Sequence, residues 1–108
     1  MDLPTWDTPF EREALFHALT AEYLKQEGVW FLDTSALAPG GTLYSSGQPG
    51  APDFLIVCAG RTIALELKSK RGKLTRPQEH ARAKAEAAGV NYHVVRTLAE
   101  IRDATRFA

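Results

Sequence analysis

Two β-rich runs, Phe54–Cys58 and Thr62–Leu67, are separated only by Ala59-Gly60-Arg61. So short a link leaves an antiparallel hairpin as the arrangement open to them, because parallel neighbours need a long crossover. If the turn is built on Ala59-Gly60, Cys58 lies opposite Arg61. The same register, carried to the open end, sets Asp53 directly across from Glu66. Directly opposed residues share a face, and Lys68, two positions beyond Glu66, joins them by strand alternation. A turn of odd length would slip the register by one and break this convergence.

Charges at the mouth of an apolar hairpin need a reason, because an unpaired buried carboxylate or ammonium is costly. Two carboxylates held face to face repel unless a proton or a cation stands between them. A hard divalent cation such as Mg²⁺ suits the place, taking one or two carboxylates and filling its other positions with water and phosphate oxygens. Such a metal lowers the pKa of a bound water and offsets charge on a phosphoryl group under attack. Lys68 beside it can orient or help deprotonate that water and stabilise charge building up on phosphorus. The competing structural account is a cross-strand Lys–carboxylate pair at a sheet edge, with Asp53 capping a turn after Pro52.

The rest of the chain reads as alternating elements. Thr8-Pro9-Phe10-Glu11 has the form of a helix start, with a Thr cap, Pro at the first helical position and Glu three residues after the cap. Leu15, Phe16, Leu19 and Tyr23 then recur at helical spacing, and Gly28 closes the helix. A short strand is expected over residues 29–32. Residues 34–51, rich in Gly, Ser and Pro, read as a long loop of the kind that usually serves function. Thr75-Arg76-Pro77-Gln78 opens a helix that Gly89 stops. A strand over residues 90–96 follows, and Thr97-Leu98-Ala99-Glu100 starts a last short helix. The order helix, strand, hairpin, helix, strand, helix predicts an α/β domain with a mixed sheet flanked by helices.

At 108 residues the chain suits one domain spanning residues 1–108. Its net charge of zero conceals a basic tract, for residues 61–84 carry eight basic side chains against Glu66 and Glu79. That tract, not the overall charge, points to a polyanionic partner. Met1 leads into Asp2, Pro4 and Asp7 rather than a secretory leader, no run is long enough to span a bilayer, and Cys58 stands alone. The expectation is a soluble, cytoplasmic domain. His17, His80 and His93 have no paired metal-ligand spacing and read as surface or structural residues. The glycine-rich stretches lack the ending of a phosphate loop, which argues against ATP. Trp6 and Trp30 suit core packing better than stacking on bases, and Leu43-Tyr44 in the long loop is a candidate contact with substrate or a partner subunit, which the sequence does not decide.

Pro52-Asp53 and Glu66-Leu67-Lys68 resemble the motif of the PD-(D/E)XK nuclease superfamily. Gly50-Ala51-Pro52-Asp53, Gly72-Lys73-Leu74-Thr75 and Gln78 narrow the resemblance to its VRR-NUC branch, the virus-type replication-repair nucleases. The likeness is strong over residues 50–100 and loose before them. It implies a restriction-endonuclease-like core and a Mg²⁺- or Mn²⁺-dependent DNA endonuclease with Asp53, Glu66 and Lys68 as its catalytic set. It also implies that the Leu67 carbonyl ligates metal alongside Asp53 and Glu66, and that Gln78 lies near the site. A glutamate of the first helix should complete it. Glu11, Glu13 and Glu22 compete, and Glu13 fits the family layout best. Lys70, Arg71, Lys73 and Arg76 are the phosphate contacts expected from the tract, which would position DNA without reading its sequence. Standalone members of phage or bacterial type resemble Holliday-junction resolvases and act as homodimers, which implies branched DNA as substrate. The rival reading is a nucleic-acid-binding module, or a nuclease subunit inactive without its partner.

Overall fold

The computed structural model describes residues 6–34 and 50–106. Their elements are α1 (Glu13–Glu27), β1 (Trp30–Asp33), β2 (Phe54–Cys58), β3 (Arg61–Leu67), α2 (Arg76–Ala87), β4 (Asn91–Val95) and α3 (Leu98–Thr105). The four strands form one sheet in the order β1-β2-β3-β4. β1, β2 and β3 run antiparallel, whereas β4 joins β3 in parallel after the α2 crossover. This is the mixed α/β architecture expected from the sequence. Most of the long loop assigned to residues 34–51, including Leu43-Tyr44, lies outside the described residues.

The hairpin register is the one the Ala59-Gly60 turn requires, with Cys58 paired to Arg61 and Phe54 to Leu65. Both turn residues have positive φ, 49° at Ala59 and 76° at Gly60. Two successive left-handed residues make the two-residue turn whose twist matches the flanking strands. Gly60 adopts this conformation freely, but the Cβ of Ala59 does not. Ala59→Asn should therefore raise stability by about 0.5–1 kcal/mol, read from urea unfolding. An unchanged or lower midpoint would mean that the turn is not strained at Ala59.

Alternation along the strands divides the sheet into two unlike faces. Phe54, Ile56, Ile63, Leu65, Leu67 and Val95 point to one face and are buried there with Phe16 and Leu24 of α1 and Leu98 and Ile101 of α3. The opposite face carries Ala64, Glu66 and Tyr92 beneath α2, with Arg82 stacked over the Tyr92 ring at 5.7 Å. No α2 residue is fully buried, so this helix covers its face only in part. Thr75 and Thr97 each close the capping box foreseen for α2 and α3. No helix among the described residues is long and apolar enough to cross a membrane.

Three local expectations are corrected. α1 starts at Glu13 rather than at the Thr8 box, and its N-cap, Arg12, makes no side-chain cap bond. Tertiary contacts take the earlier segment out of the helix: Phe10 N–H donates to Arg96 O (3.3 Å), and Phe10 O accepts from Lys70 N–H (2.7 Å). The Phe10 ring also stacks on Phe16 at 4.6 Å. Second, Leu15 is half exposed, because the buried stripe of α1 runs through Phe16, Thr20, Tyr23 and Leu24. Third, Trp6 packs edge-on against Tyr23, but Trp30 is 62% exposed. It sits on the edge strand, opposite Val57, which is also exposed, on the α2 side of the sheet.

Candidate active site

Extending the β2–β3 ladder by one pair beyond Phe54↔Leu65 brings Asp53 opposite Glu66. Asp53 is locked to the sheet at both ends of the residue. Its Oδ2 accepts the Leu67 backbone N–H at 2.8 Å. Its carbonyl accepts from Thr34 N–H at 3.0 Å, while Thr34 Oγ1 donates to Pro52 O at 2.8 Å. The Pro-Asp dipeptide is a bend leading into β2, and these bonds tie it to the end of the sheet.

Glu66 is 2% exposed and Lys68 7%. Lys68 Nζ stands 3.7 Å from Glu66 Oε2. Gln78 reaches the same oxygen from α2, its Nε2 donating at 3.1 Å. The same side chain closes the α2 capping box, its Oε1 accepting Thr75 N–H at 2.9 Å. One glutamine thus ties the helix start to the carboxylate.

Gly50 secures that arrangement. It has φ 79°, and a Cβ there would stand 2.5 Å from Pro77 C and O and 2.7 Å from Gln78 N. Only a bare Cα lets the loop carrying Asp53 lie against the first turn of α2. Gly50→Ala should cost about 2–4 kcal/mol in urea unfolding, from left-handed strain plus overpacking, and shift the Gln78 side-chain amide resonance. A wild-type midpoint would show that the contact is slack.

The electrostatics follow from burial. The Glu66 carboxyl is pushed up to about 8, first by burial and next by the facing charge of Asp53, with Lys68 pulling the other way. Glu66 Oε1 is buried and meets no hydrogen-bond partner among the described residues. An orphaned acceptor opposite a second carboxylate has the character of a place for a proton or a hard cation. Among the described residues, no three His, Cys, Asp or Glu side chains gather into a metal-holding group. A cation here would rest on Asp53, Glu66, a backbone oxygen such as that of Leu67, and water, the sparse protein shell that suits Mg²⁺.

The other predicted residues are placed as follows. Glu13 opens α1 on the site side: its charge adds to the rise at Glu66, and a Cβ on Gly72 would lie 3.4 Å from Glu13 Oε2 and 3.3 Å from Lys68 Cδ. Glu11 is exposed and within 4.0 Å of Lys70, and Glu22 pairs with Lys25 farther along the helix. Lys70, Arg71, Lys73 and Arg76 are all exposed along the connection from β3 into α2. Cys58, only half-buried, lines a separate cleft with Trp6, Tyr23 and Arg102 that contains none of these residues.

Sequence reasoning missed His17 and Asp33. His17 Nε2 stands 2.9 Å from Asp33 Oδ1, and Nδ1 stands 3.8 Å from Asp53 Oδ1. The available signal was spacing, since His17 follows Glu13 by four residues and shares its helix face.

No protein-family profile matches the sequence, and no curated protein matches it. A solved structure described as a "VRR_NUC domain" superposes with a TM-score of 0.60 at 20% identity, over 89% of this chain and 94% of that one. This chain has the fold of that domain.

Proposed function

We propose that this chain, built on the VRR_NUC fold, is a Mg²⁺- or Mn²⁺-dependent endonuclease that hydrolyses DNA phosphodiester bonds. The observation carrying this reading is the facing pair Asp53 and Glu66, with Glu66 Oε1 buried and unpartnered and Lys68 Nζ 3.7 Å from Oε2. Asp53, Glu66 and the Leu67 carbonyl would hold the cation, which when bound supplies a water of lowered pKa and offsets phosphoryl charge.

The remaining roles belong to the chain itself. Lys68, almost fully buried, orients the attacking water and steadies the negative charge that grows on the phosphate. Gln78 and Lys68 stand at Glu66 Oε2, which leaves Oε1 buried and without a hydrogen-bond partner among the described residues. Glu13 adds an acidic group on the α1 side. Lys70, Arg71, Lys73 and Arg76 receive flanking phosphates. A single domain offers one such site, so we propose a homodimer that presents two sites to branched, Holliday-junction-like DNA during repair in the cytoplasm.

The test is incubation of labelled four-way junction, nicked and linear duplex DNA with the protein and Mg²⁺ or Mn²⁺. Metal-dependent cutting, fastest on the junction, is expected, together with a dimeric mass in sedimentation. Tight binding without cutting on any substrate, with either metal, would move the assignment to a binding module or a subunit that needs a partner.

A further inference from the structure

His17 faces the site, and the proposed chemistry assigns it no task. Its surroundings nevertheless fix it closely. The ring lies 4.5 Å from that of Phe54, tilted by 32°. Asp33 Oδ1, 2.9 Å from Nε2, is a carboxylate oxygen that only accepts, so Nε2 carries the proton and donates it. That contact turns the ring so that Nδ1 stands 3.8 Å from Asp53 Oδ1. The other oxygen, Oδ2, is held by Leu67 N–H at 2.8 Å. Thr34 binds the Asp53 carbonyl directly, and Asp33 sets the His17 ring against the carboxylate; with its proton on Nε2, Nδ1 has none to donate at 3.8 Å, so the ring acts there by its bulk.

The geometry points to His17 as a positioning residue for Asp53. The imidazole, steered by Asp33, stands as a steric stop beside Oδ1 and so keeps Oδ2 on the Leu67 amide. This rests on reading Asp53 and Glu66 as a cation site. Groups that orient a ligating side chain typically change metal affinity about 10–100-fold when removed.

The test compares His17→Ala, His17→Asn and His17→Gln in the full chain by two readouts. The first is the Leu67 amide resonance without metal, which reports the Asp53 Oδ2 bond. The second is Mn²⁺ affinity, followed by the electron paramagnetic resonance signal of free Mn²⁺. Asn can place an amide near the position of Nδ1 and Gln near that of Nε2, so the two separate steering of Asp53 from a mere tie to Asp33. His17→Ala should move the Leu67 resonance and weaken Mn²⁺ binding about 10-fold or more, with Asn recovering most of both and Gln little of either. Asp33→Ala should add almost nothing in the His17→Ala background, since it acts through the ring.

An unmoved Leu67 resonance in folded variants, or rescue by Gln rather than Asn, would overturn the assignment. If His17→Ala does not fold, the Asn–Gln contrast alone decides. Absence of Mn²⁺ binding by the wild-type chain would strike the cation reading instead, and the metal-free Leu67 readout would still judge His17.

Discussion

Lys68→Ala will lower DNA cleavage by about 10²–10³-fold while leaving Mn²⁺ bound, the loss expected when a preorganised charge is withdrawn from a developing anion. The side chain is 7% exposed and 3.7 Å from Glu66 Oε2, so its ammonium is held in a medium where charge counts for more than in water. Glu66→Gln should abolish cutting by another route, removing a carboxylate proposed to hold the cation. Comparing single-turnover rates with Mn²⁺ affinity separates the two. If Lys68→Ala cuts at the wild-type rate, the ammonium is only a structural counter-ion to Glu66, and the assigned role is wrong.

Stability should depend on pH in a direction unusual for a carboxylate. In the folded chain Glu66 holds its proton up to about 8, against 4.5 for an ordinary glutamate. Between those values the native state binds the extra proton and the unfolded state does not, so metal-free stability falls as pH rises. Below the lower value both states are protonated, above the upper one neither is, and the contribution is flat. At about 1.4 kcal/mol per unit, the loss across the window is at most roughly 4–5 kcal/mol. His93 works in the opposite sense, because burial and then Arg61 and Arg82 lower its pKa. The measurement is therefore the difference between wild type and Glu66→Gln in urea midpoint from pH 4 to 9. The gap should shift against wild type as pH rises, and Mg²⁺ should restore wild type above pH 8 but not the variant. A pH-independent gap would mean that Glu66 is ionised throughout and already compensated.

What the sequence made legible was set by short-range geometry. The hairpin allowed its register to be counted, and that count brought Asp53 to Glu66 before any tertiary contact was known. The Thr75 and Thr97 boxes were equally readable, because their bonds close within four residues. The Thr8 box failed for the complementary reason: its residues have local capping potential, but Phe10 is claimed by Arg96 and Lys70, far away in sequence. Asp33 and His17 were missed because their link crosses sixteen residues and depends on how α1 lies on the sheet. The glycine of the Gly50-Ala51-Pro52-Asp53 motif was visible as a pattern, but its cause, the backbone of Pro77, appears only in three dimensions. Gln78 closes the cap and also donates to Glu66, a second bond that depends on how α2 lies on the sheet.

The proposed chemistry stands or falls on whether Asp53 and Glu66 bind a divalent cation. Calorimetric titration of Mn²⁺ into the metal-free chain, Asp53→Asn and Glu66→Gln tests it most directly. Saturable binding by the wild-type chain is expected, lost in either variant, each confirmed folded by its unfolding transition. Binding that survives both substitutions, or no binding by the wild type, would contradict it.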